Sequence, residues 1–162
     1  MVSVEMAIKM EKDAVAFYKK CAEKTNSPVG KKMFLSIAED EQYHIVCATN
    51  VLKGLGFKPS NTTPKQDMKS IYEQNKDVVM QKVDATTDDV EALKIAMKME
   101  KEGAEFYLKA AAEAATPAEK ALFECLAKDE GEHYAIFQNT CSLLNDSSNW
   151  FMWQEHVIYE GG

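Results

Sequence analysis

The sequence contains two widely separated pairs of residues whose side chains are of the types that bind metals. Glu41 and His44 are three residues apart, and so are Glu130 and His133. That spacing places a carboxylate and an imidazole on one face of a helix, where both can bind one metal centre. One such pair alone is weak evidence in an acidic chain, because glutamates are frequent and the motif arises by chance.

The two pairs belong to a longer internal repeat with an offset of 89 residues. Residues 7–12 read AIKMEK, residues 96–101 read AMKMEK, and a Phe-Tyr pair follows each segment. Two long copies predict paired helical hairpins related by a pseudo-twofold axis, which brings equivalent residues together. The same offset relates Phe34, Ala38, Asp40, Glu41 and His44 to Phe123, Ala127, Asp129, Glu130 and His133.

The repeat also contains one further carboxylate in each copy, Glu11 and Glu100. One glutamate from each of two helices, with a Glu-x-x-His pair from each of the other two, supports di-iron or di-manganese carboxylate sites in helical bundles. Four carboxylates would nearly neutralise two divalent cations. The alternative is a set of solvated residues on helix surfaces, which the shared offset disfavours. The predicted metal ligands are Glu11, Glu41, His44, Glu100, Glu130 and His133.

In each copy of the repeat, an aspartate directly precedes the glutamate of the Glu-x-x-His pair. Asp40 and Asp129 could each accept a hydrogen bond from the non-ligating nitrogen of the histidine across the site, which would fix the orientation of the imidazole. The alternative for each is an exposed helix residue.

Two tyrosines lie on the same helix faces as the first glutamates. Tyr18 and Tyr107 follow Glu11 and Glu100 by seven residues, so each phenol could donate a hydrogen bond to a ligand carboxylate. An ordinary core position is the alternative for each.

The sulfur-containing residues are predicted to serve packing. Cys47 shares a helix stripe with His44, and a small buried hydrophobe is favoured there over a redox thiol. The same reasoning predicts Met6, Met10, Met97 and Met99 as packing residues.

Apolar periodicity, caps and turn residues predict four principal helices and one polar crossover helix. The principal helices should cover residues 4–24, from 28 or 29 to about 54 or 56, from a cap at Thr87 or Asp88 to about 115, and from 117 to about 144. Residues 58–64 read as a loop and residues 66–83 as the crossover helix. We expect residues 1–146 to form the bundle, and residues 147–162 to form an extended aromatic tail that packs on the bundle or on a partner subunit.

Composition excludes several classes of function. The chain has 162 residues, a net charge of −7 and a pI near 5.0, which argues against a binder of nucleic acid or of anionic membranes. No signal sequence or membrane span is visible. The four cysteines are widely spaced without a CxxC motif, so reduced thiols in a cytoplasmic protein are expected.

Over residues 4 to 144 the chain resembles the rubrerythrin-type proteins of the ferritin-like superfamily. The doubled Glu and Asp-Glu-x-x-His pattern carries the resemblance. It implies an all-α ferritin-like four-helix bundle of two repeated hairpins, with a long crossover connection that contains a short helix. It also implies a non-haem di-iron protein that acts in oxidative stress, with two iron ions held by the six ligands named above.

The same resemblance implies an oxidoreductase and its partners. The enzyme would reduce hydrogen peroxide or dioxygen, and a rubredoxin-like protein would resupply electrons. A homodimer is expected, without nucleic acid or membrane. The alternatives are iron binding or storage without turnover, and a scaffolding bundle filled by zinc; manganese could occupy the same oxygen and nitrogen ligands.

Two departures from the family pattern are visible. Rubrerythrins usually carry an extra glutamate three residues after the third-helix ligand, where this chain has Gly103, with Ala14 at the equivalent place in the first copy. Metal movement linked to that glutamate is therefore not expected. The four-cysteine rubredoxin-like domain is also missing from these residues, so electrons should come from a separate protein.

Overall fold

A computed structural model of the chain describes residues 4–75 and 85–147. All regular secondary structure in these two stretches is helical. The helices are α1 (Val4–Lys24), α2 (Pro28–Leu52), α3 (Pro64–Gln74), α4 (Thr87–Ala112) and α5 (Pro117–Ser147). The predicted all-α bundle is confirmed: α1 with α2 and α4 with α5 form two closely packed hairpins, and α3 packs on α2 and α5.

Capping and turn residues explain where α2, the second helix of the first hairpin, begins and ends. The Ser27 hydroxyl accepts a hydrogen bond from the Gly30 backbone N–H at 3.0 Å, and Pro28 stands in the first turn, where it needs no backbone donor. After Leu52 the chain turns at Gly54, whose φ of +76° favours glycine. Helix α1 has the predicted limits, residues 4 and 24. Helix α2 begins at the predicted Pro28 and ends at Leu52, two residues before the predicted glycine Gly54.

The predicted limits of α3 were wrong. Pro64, assigned to the loop, is the first helical residue, because Thr63 and Gln66 form reciprocal hydrogen bonds of 2.9 and 3.2 Å that cap the helix. The helix ends at Gln74, and Asn75 lies in a turn. The rest of the predicted crossover helix, residues 76–83, lies outside the described residues.

Helix α4 begins one residue earlier than predicted, with Thr86 as its cap in place of Thr87 or Asp88. The Thr86 hydroxyl accepts from the Asp89 backbone N–H at 3.1 Å, and the Asp89 carboxylate accepts from the Thr86 N–H at 2.9 Å. This reciprocal capping box satisfies two of the otherwise unpaired groups at the helix start. The helix ends at Ala112, three residues before the predicted end at Ala115.

The apolar core forms two clusters, one toward each end of the bundle. The first joins the end of α1 and the start of α2 to the start of α4 and the end of α5, and it includes Tyr18, Phe34, Leu93 and Phe137. The second joins the opposite helix ends and includes Tyr107, Phe123, Leu122 and Leu126. Burying each of these large side chains contributes about 1.5–3 kcal/mol. The polar residues of the repeat occupy the helix segments between the clusters.

The packing roles predicted for the sulfur-containing residues are partly corrected. Met6 is 51% exposed, because the buried face of α1 runs through Ala7, Glu11 and Tyr18 instead. Cys47 is buried in the second core cluster, and none of the four cysteines, all within the described residues, forms a disulfide.

No helix in the described part of the chain is both long and apolar enough to cross a membrane. The division into a bundle at 1–146 and a tail at 147–162 stays a prediction, because residues 148–162 lie outside the described residues.

Candidate metal centre

The structure brings all six predicted ligands together in the middle of the bundle. Glu11 comes from α1 and Glu100 from α4; α2 contributes Glu41 and His44, and α5 contributes Glu130 and His133. Every one of these residues is buried, with at most 6% of its surface exposed. Charged groups are costly to bury unless they are paired or bind a metal.

The six residues divide into two overlapping groups of four. Glu11, Glu41, His44 and Glu130 form one group, and Glu41, Glu100, Glu130 and His133 form the other. Within each group, one donor atom per residue lies within 4.8 Å of the others. Glu41 and Glu130 belong to both groups, so these two carboxylates are the ones that could contribute to holding both cations.

The first histidine faces carboxylates from three helices. Nδ1 of His44 lies 2.8 Å from Oε2 of Glu41, 3.6 Å from Oε2 of Glu11 and 3.6 Å from Oε1 of Glu130. These donors converge on one small volume beside the ring.

The second histidine repeats this environment from the other hairpin. Nδ1 of His133 lies 3.3 Å from Oε1 of Glu41, 3.5 Å from Oε2 of Glu100 and 3.9 Å from Oε1 of Glu130. The two imidazole centroids are 6.2 Å apart. The internal repeat therefore appears in space as two similar donor sets side by side.

The outer nitrogen of each imidazole contacts an aspartate of the other hairpin. Nε2 of His44 lies 2.9 Å from Oδ2 of Asp129, and Nε2 of His133 lies 2.9 Å from Oδ2 of Asp40. A proton on Nε2 donates to the aspartate and leaves Nδ1 free as a donor to a cation. These crossed contacts also show that α2 and α5 run antiparallel.

The two tyrosines connect the hairpins in the same crossed manner. Tyr107 donates to Oε1 of Glu11 at 2.5 Å, and Tyr18 donates to Oε1 of Glu100. Both phenols are almost completely buried. The second oxygen of each glutamate, Oε2, remains turned towards a histidine.

Six buried atoms at the centre make no hydrogen bond of accepted geometry among the described residues, although some of them lie beside oppositely charged groups. Leaving a buried polar atom unpaired costs about 1–3 kcal/mol, and more if the group is charged. All six atoms are oxygen or nitrogen donors of the kinds that bind iron, manganese or zinc, so the donor set fits a pair of such cations. The atoms are Oε1 and Oε2 of Glu41, Nδ1 of His44, Oε2 of Glu100, Oε1 of Glu130 and Nδ1 of His133.

The shared glutamates hold protons more strongly than usual without metal. Burial, followed by the charges of Glu11 and Glu100, raises the pKa of Glu41 to about 8. Burial and the charges of the other three glutamates raise the pKa of Glu130 well above its ordinary value. Cations at the centre would therefore displace protons from these carboxyl groups.

The outer glutamates show the opposite shift. Burial acts to raise the pKa of Glu11, but the nearby charge of His44, with the hydrogen bond from Tyr107, outweighs it and lowers that pKa. His133 lowers the pKa of Glu100 against burial in the same way. For the histidines, burial acts downward, and the facing carboxylates raise the pKa of both His44 and His133.

A cavity of about 200 Å³ between α1 and α4 reaches the centre from one side. Glu11, Glu100 and Glu130 stand in its wall with the small residues Ala14 and Gly103. Sequence reasoning did not predict this opening. The only sequence signal is the pair of small residues at equivalent repeat positions.

Among models of protein families, the one described as Rubrerythrin matches residues 3–141. Neither the curated proteins nor the solved structures gave a match. The family is a ferritin-like di-iron family, and its model covers every residue of the centre and both hairpins except the end of α5 after residue 141. The resemblance seen in the sequence is thus confirmed, and the chain belongs to the rubrerythrin family.

Proposed function

We propose that this protein is a non-haem di-iron oxidoreductase that reduces hydrogen peroxide, or dioxygen, with electrons from a separate rubredoxin-like protein. The observation that carries the proposal is the pair of overlapping donor groups that share Glu41 and Glu130. Six buried donor atoms at the same place make no hydrogen bond of accepted geometry among the described residues. This also supports the proposal, since a purely structural polar cluster would be expected to satisfy its own hydrogen bonds.

The proposed ligands follow from the two groups. Glu11 and His44 would hold one iron, Glu100 and His133 the other, and Glu41 and Glu130 both. Four carboxylates then balance the four positive charges of two ferrous ions. When bound, a ferrous pair supplies two electrons, the number that reduces one hydrogen peroxide, with two protons, to two waters.

The surrounding side chains hold this donor set in place. Asp129 and Asp40 orient the imidazoles, and Tyr107 and Tyr18 hold one oxygen of each outer glutamate. Burial, then the charges of Glu11 and Glu130, raises the pKa of Tyr107, so its phenol stays a neutral donor. A small oxidant would reach the centre through the cavity between α1 and α4.

We also propose a homodimer and a rubredoxin-like electron donor, which the family resemblance implies. A cytoplasmic location is proposed from the wide spacing of the four cysteines. Manganese or zinc could occupy the same donors, since oxygen and nitrogen ligands serve each of these metals.

The test is anaerobic loading with ferrous iron followed by titration with hydrogen peroxide. We expect two irons per chain, and growth of the near-ultraviolet absorption of paired ferric iron that ends at one peroxide per iron pair. The Glu41→Ala/Glu130→Ala variant should keep its helix content by circular dichroism and lose paired binding.

Two outcomes would oppose the proposal. Many irons taken up per chain without peroxide turnover would favour storage. Absence of paired binding in the unaltered protein would favour a scaffolding or zinc-bound bundle. Zinc loading is the redox-inert control, because zinc has no redox chemistry.

A further inference from the structure

Gly103 on α4 faces the carboxyl group of Glu130 on α5 at very short range. A Cβ added to Gly103 would lie 2.8 Å from Oε2 of Glu130, 3.6 Å from its Cδ and 3.8 Å from its Cγ. The first distance is shorter than real Cβ contacts allow, so one of the two groups would have to move. The carboxyl group of Glu130 therefore uses the space that any other residue at position 103 would fill.

The first hairpin differs at the equivalent position. The repeat relates Gly103 to Ala14 and Glu130 to Glu41, so the methyl group missing from α4 is present on α1. Glu41 directs both oxygens at the imidazoles: Oε2 lies 2.8 Å from Nδ1 of His44, and Oε1 lies 3.3 Å from Nδ1 of His133.

Glu130 has a different orientation. Its Oε1 alone stands between the imidazoles, 3.6 Å from Nδ1 of His44 and 3.9 Å from Nδ1 of His133. Its Oε2 is the atom that lies against Gly103, in the wall of the cavity between α1 and α4. Two equivalent carboxylates of the repeat thus take unequal positions at one centre.

We infer that Gly103 is a positioning residue: it leaves the room in which the Glu130 carboxylate turns one oxygen out of the donor cluster, whereas the equivalent position in the first hairpin carries the methyl group of Ala14. Glu130 would then be the shared carboxylate that has room to reorient towards a bound cation, and Glu41 the one with both oxygens already directed at the imidazoles. The role towards metal rests on the proposed function, whereas the contact between Gly103 and Glu130 is present without metal.

The first experiment measures metal binding without peroxide. Calorimetric titration with manganese would compare the unaltered protein, Gly103→Ala and the matched control Gly131→Ala, a helical position where an added Cβ meets nothing within 4 Å. We expect Gly103→Ala to weaken the binding of at least one manganese ion tenfold or more, and Gly131→Ala to keep both affinities within threefold. Binding of both ions within threefold in Gly103→Ala would overturn the inference.

The second experiment is done without metal. If the unaltered protein binds no metal, the proposed function fails, but this experiment still tests the contact between Gly103 and Glu130. Alanine normally raises the unfolding temperature when it replaces a helix-interior glycine. We expect Gly103→Ala to give no increase in the metal-free protein, and to give one when Glu130→Ala has removed the opposing carboxylate. An equal increase in both backgrounds would show that the two residues do not compete for space, and would refute the inference.

Discussion

Both histidines use their two ring nitrogens for different purposes. Nδ1 faces the carboxylates at the centre, and Nε2 contacts an aspartate of the opposite hairpin at 2.9 Å. A partner on the outer nitrogen fixes the ring orientation and raises the basicity of the inner one.

Removing one outer partner should weaken metal binding. We expect Asp129→Ala to lower the affinity for manganese about 10–100-fold, because His44 loses the acceptor that orients its ring. Calorimetric titration measures the change. Asp13→Ala is the control, since Asp13 is exposed and contacts Lys9 at 3.3 Å on the surface of α1. Equal affinity in Asp129→Ala and the unaltered protein would contradict the orienting role.

The protonation of the centre predicts how metal-free stability depends on pH. The pKa of Glu41 is raised from 4.5 to about 8, and the pKa values of Glu130, His44 and His133 are raised as well. A raised pKa means that the folded state binds more protons, so its contribution is complete below the ordinary pKa and is lost as pH rises through the folded one.

We therefore expect the free energy of unfolding of the metal-free protein to fall as pH rises from about 5 to about 8. Urea unfolding in the presence of a chelator measures it. The Glu41→Ala/Glu130→Ala variant is the control, and its stability should depend less on pH over this range because two of the four groups are gone. A metal-free protein that becomes more stable with rising pH would oppose the assigned pKa directions.

At the scale of the helices, short polar motifs decide where each element begins. Thr86 and Asp89 hydrogen-bond reciprocally at the start of α4, as Thr63 and Gln66 do at the start of α3. Each motif fixes the first turn of its helix. In α4 the residues that follow this turn include Glu100, which lies at the centre.

Loss of the α4 cap should destabilise the bundle measurably. We expect Thr86→Ala to lower the free energy of unfolding by about 1 kcal/mol, because the Asp89 backbone N–H loses its acceptor. Thr86→Ser keeps the hydroxyl and should change stability by less than about half that amount. Urea unfolding of the two variants compares them. Equal stability of both would show that the hydroxyl does not contribute.

At the scale of the whole molecule, the centre joins two hairpins that otherwise bury separate apolar ends. Tyr18 with Glu100, Tyr107 with Glu11, and the two His–Asp pairs all cross from one hairpin to the other. Cations held by ligands from all four principal helices would therefore oppose separation of the hairpins.

Metal loading should raise the unfolding temperature through this connection. Ligands that bind only the folded state stabilise it by about 4 kcal/mol per site when the free metal exceeds its Kd a thousandfold. Thermal unfolding with manganese and with a chelator measures the difference. Glu41→Ala/Glu130→Ala should unfold at the same temperature under both conditions. An unaltered protein without any difference would show that the centre does not bind manganese when folded.

Much of the fold follows from local patterns in the sequence. Helix period, turn residues and the repeat predicted the hairpins, because these signals act over a few residues or recur at one offset. Helix starts were less accurate: Pro64 and Thr86 were misassigned, since reciprocal side-chain contacts decide between neighbouring caps.

The sequence by itself also determined which residue types could meet at the centre, because the period of a helix places Glu41 beside His44 and Glu130 beside His133. Only the tertiary structure decided which hairpin supplies each partner, as with Tyr18 and Glu100, which are 82 residues apart. The unequal orientations of Glu41 and Glu130 were also decided only by the tertiary structure. They depend on a missing methyl group on a neighbouring helix, and that contact exists only once the hairpins have packed.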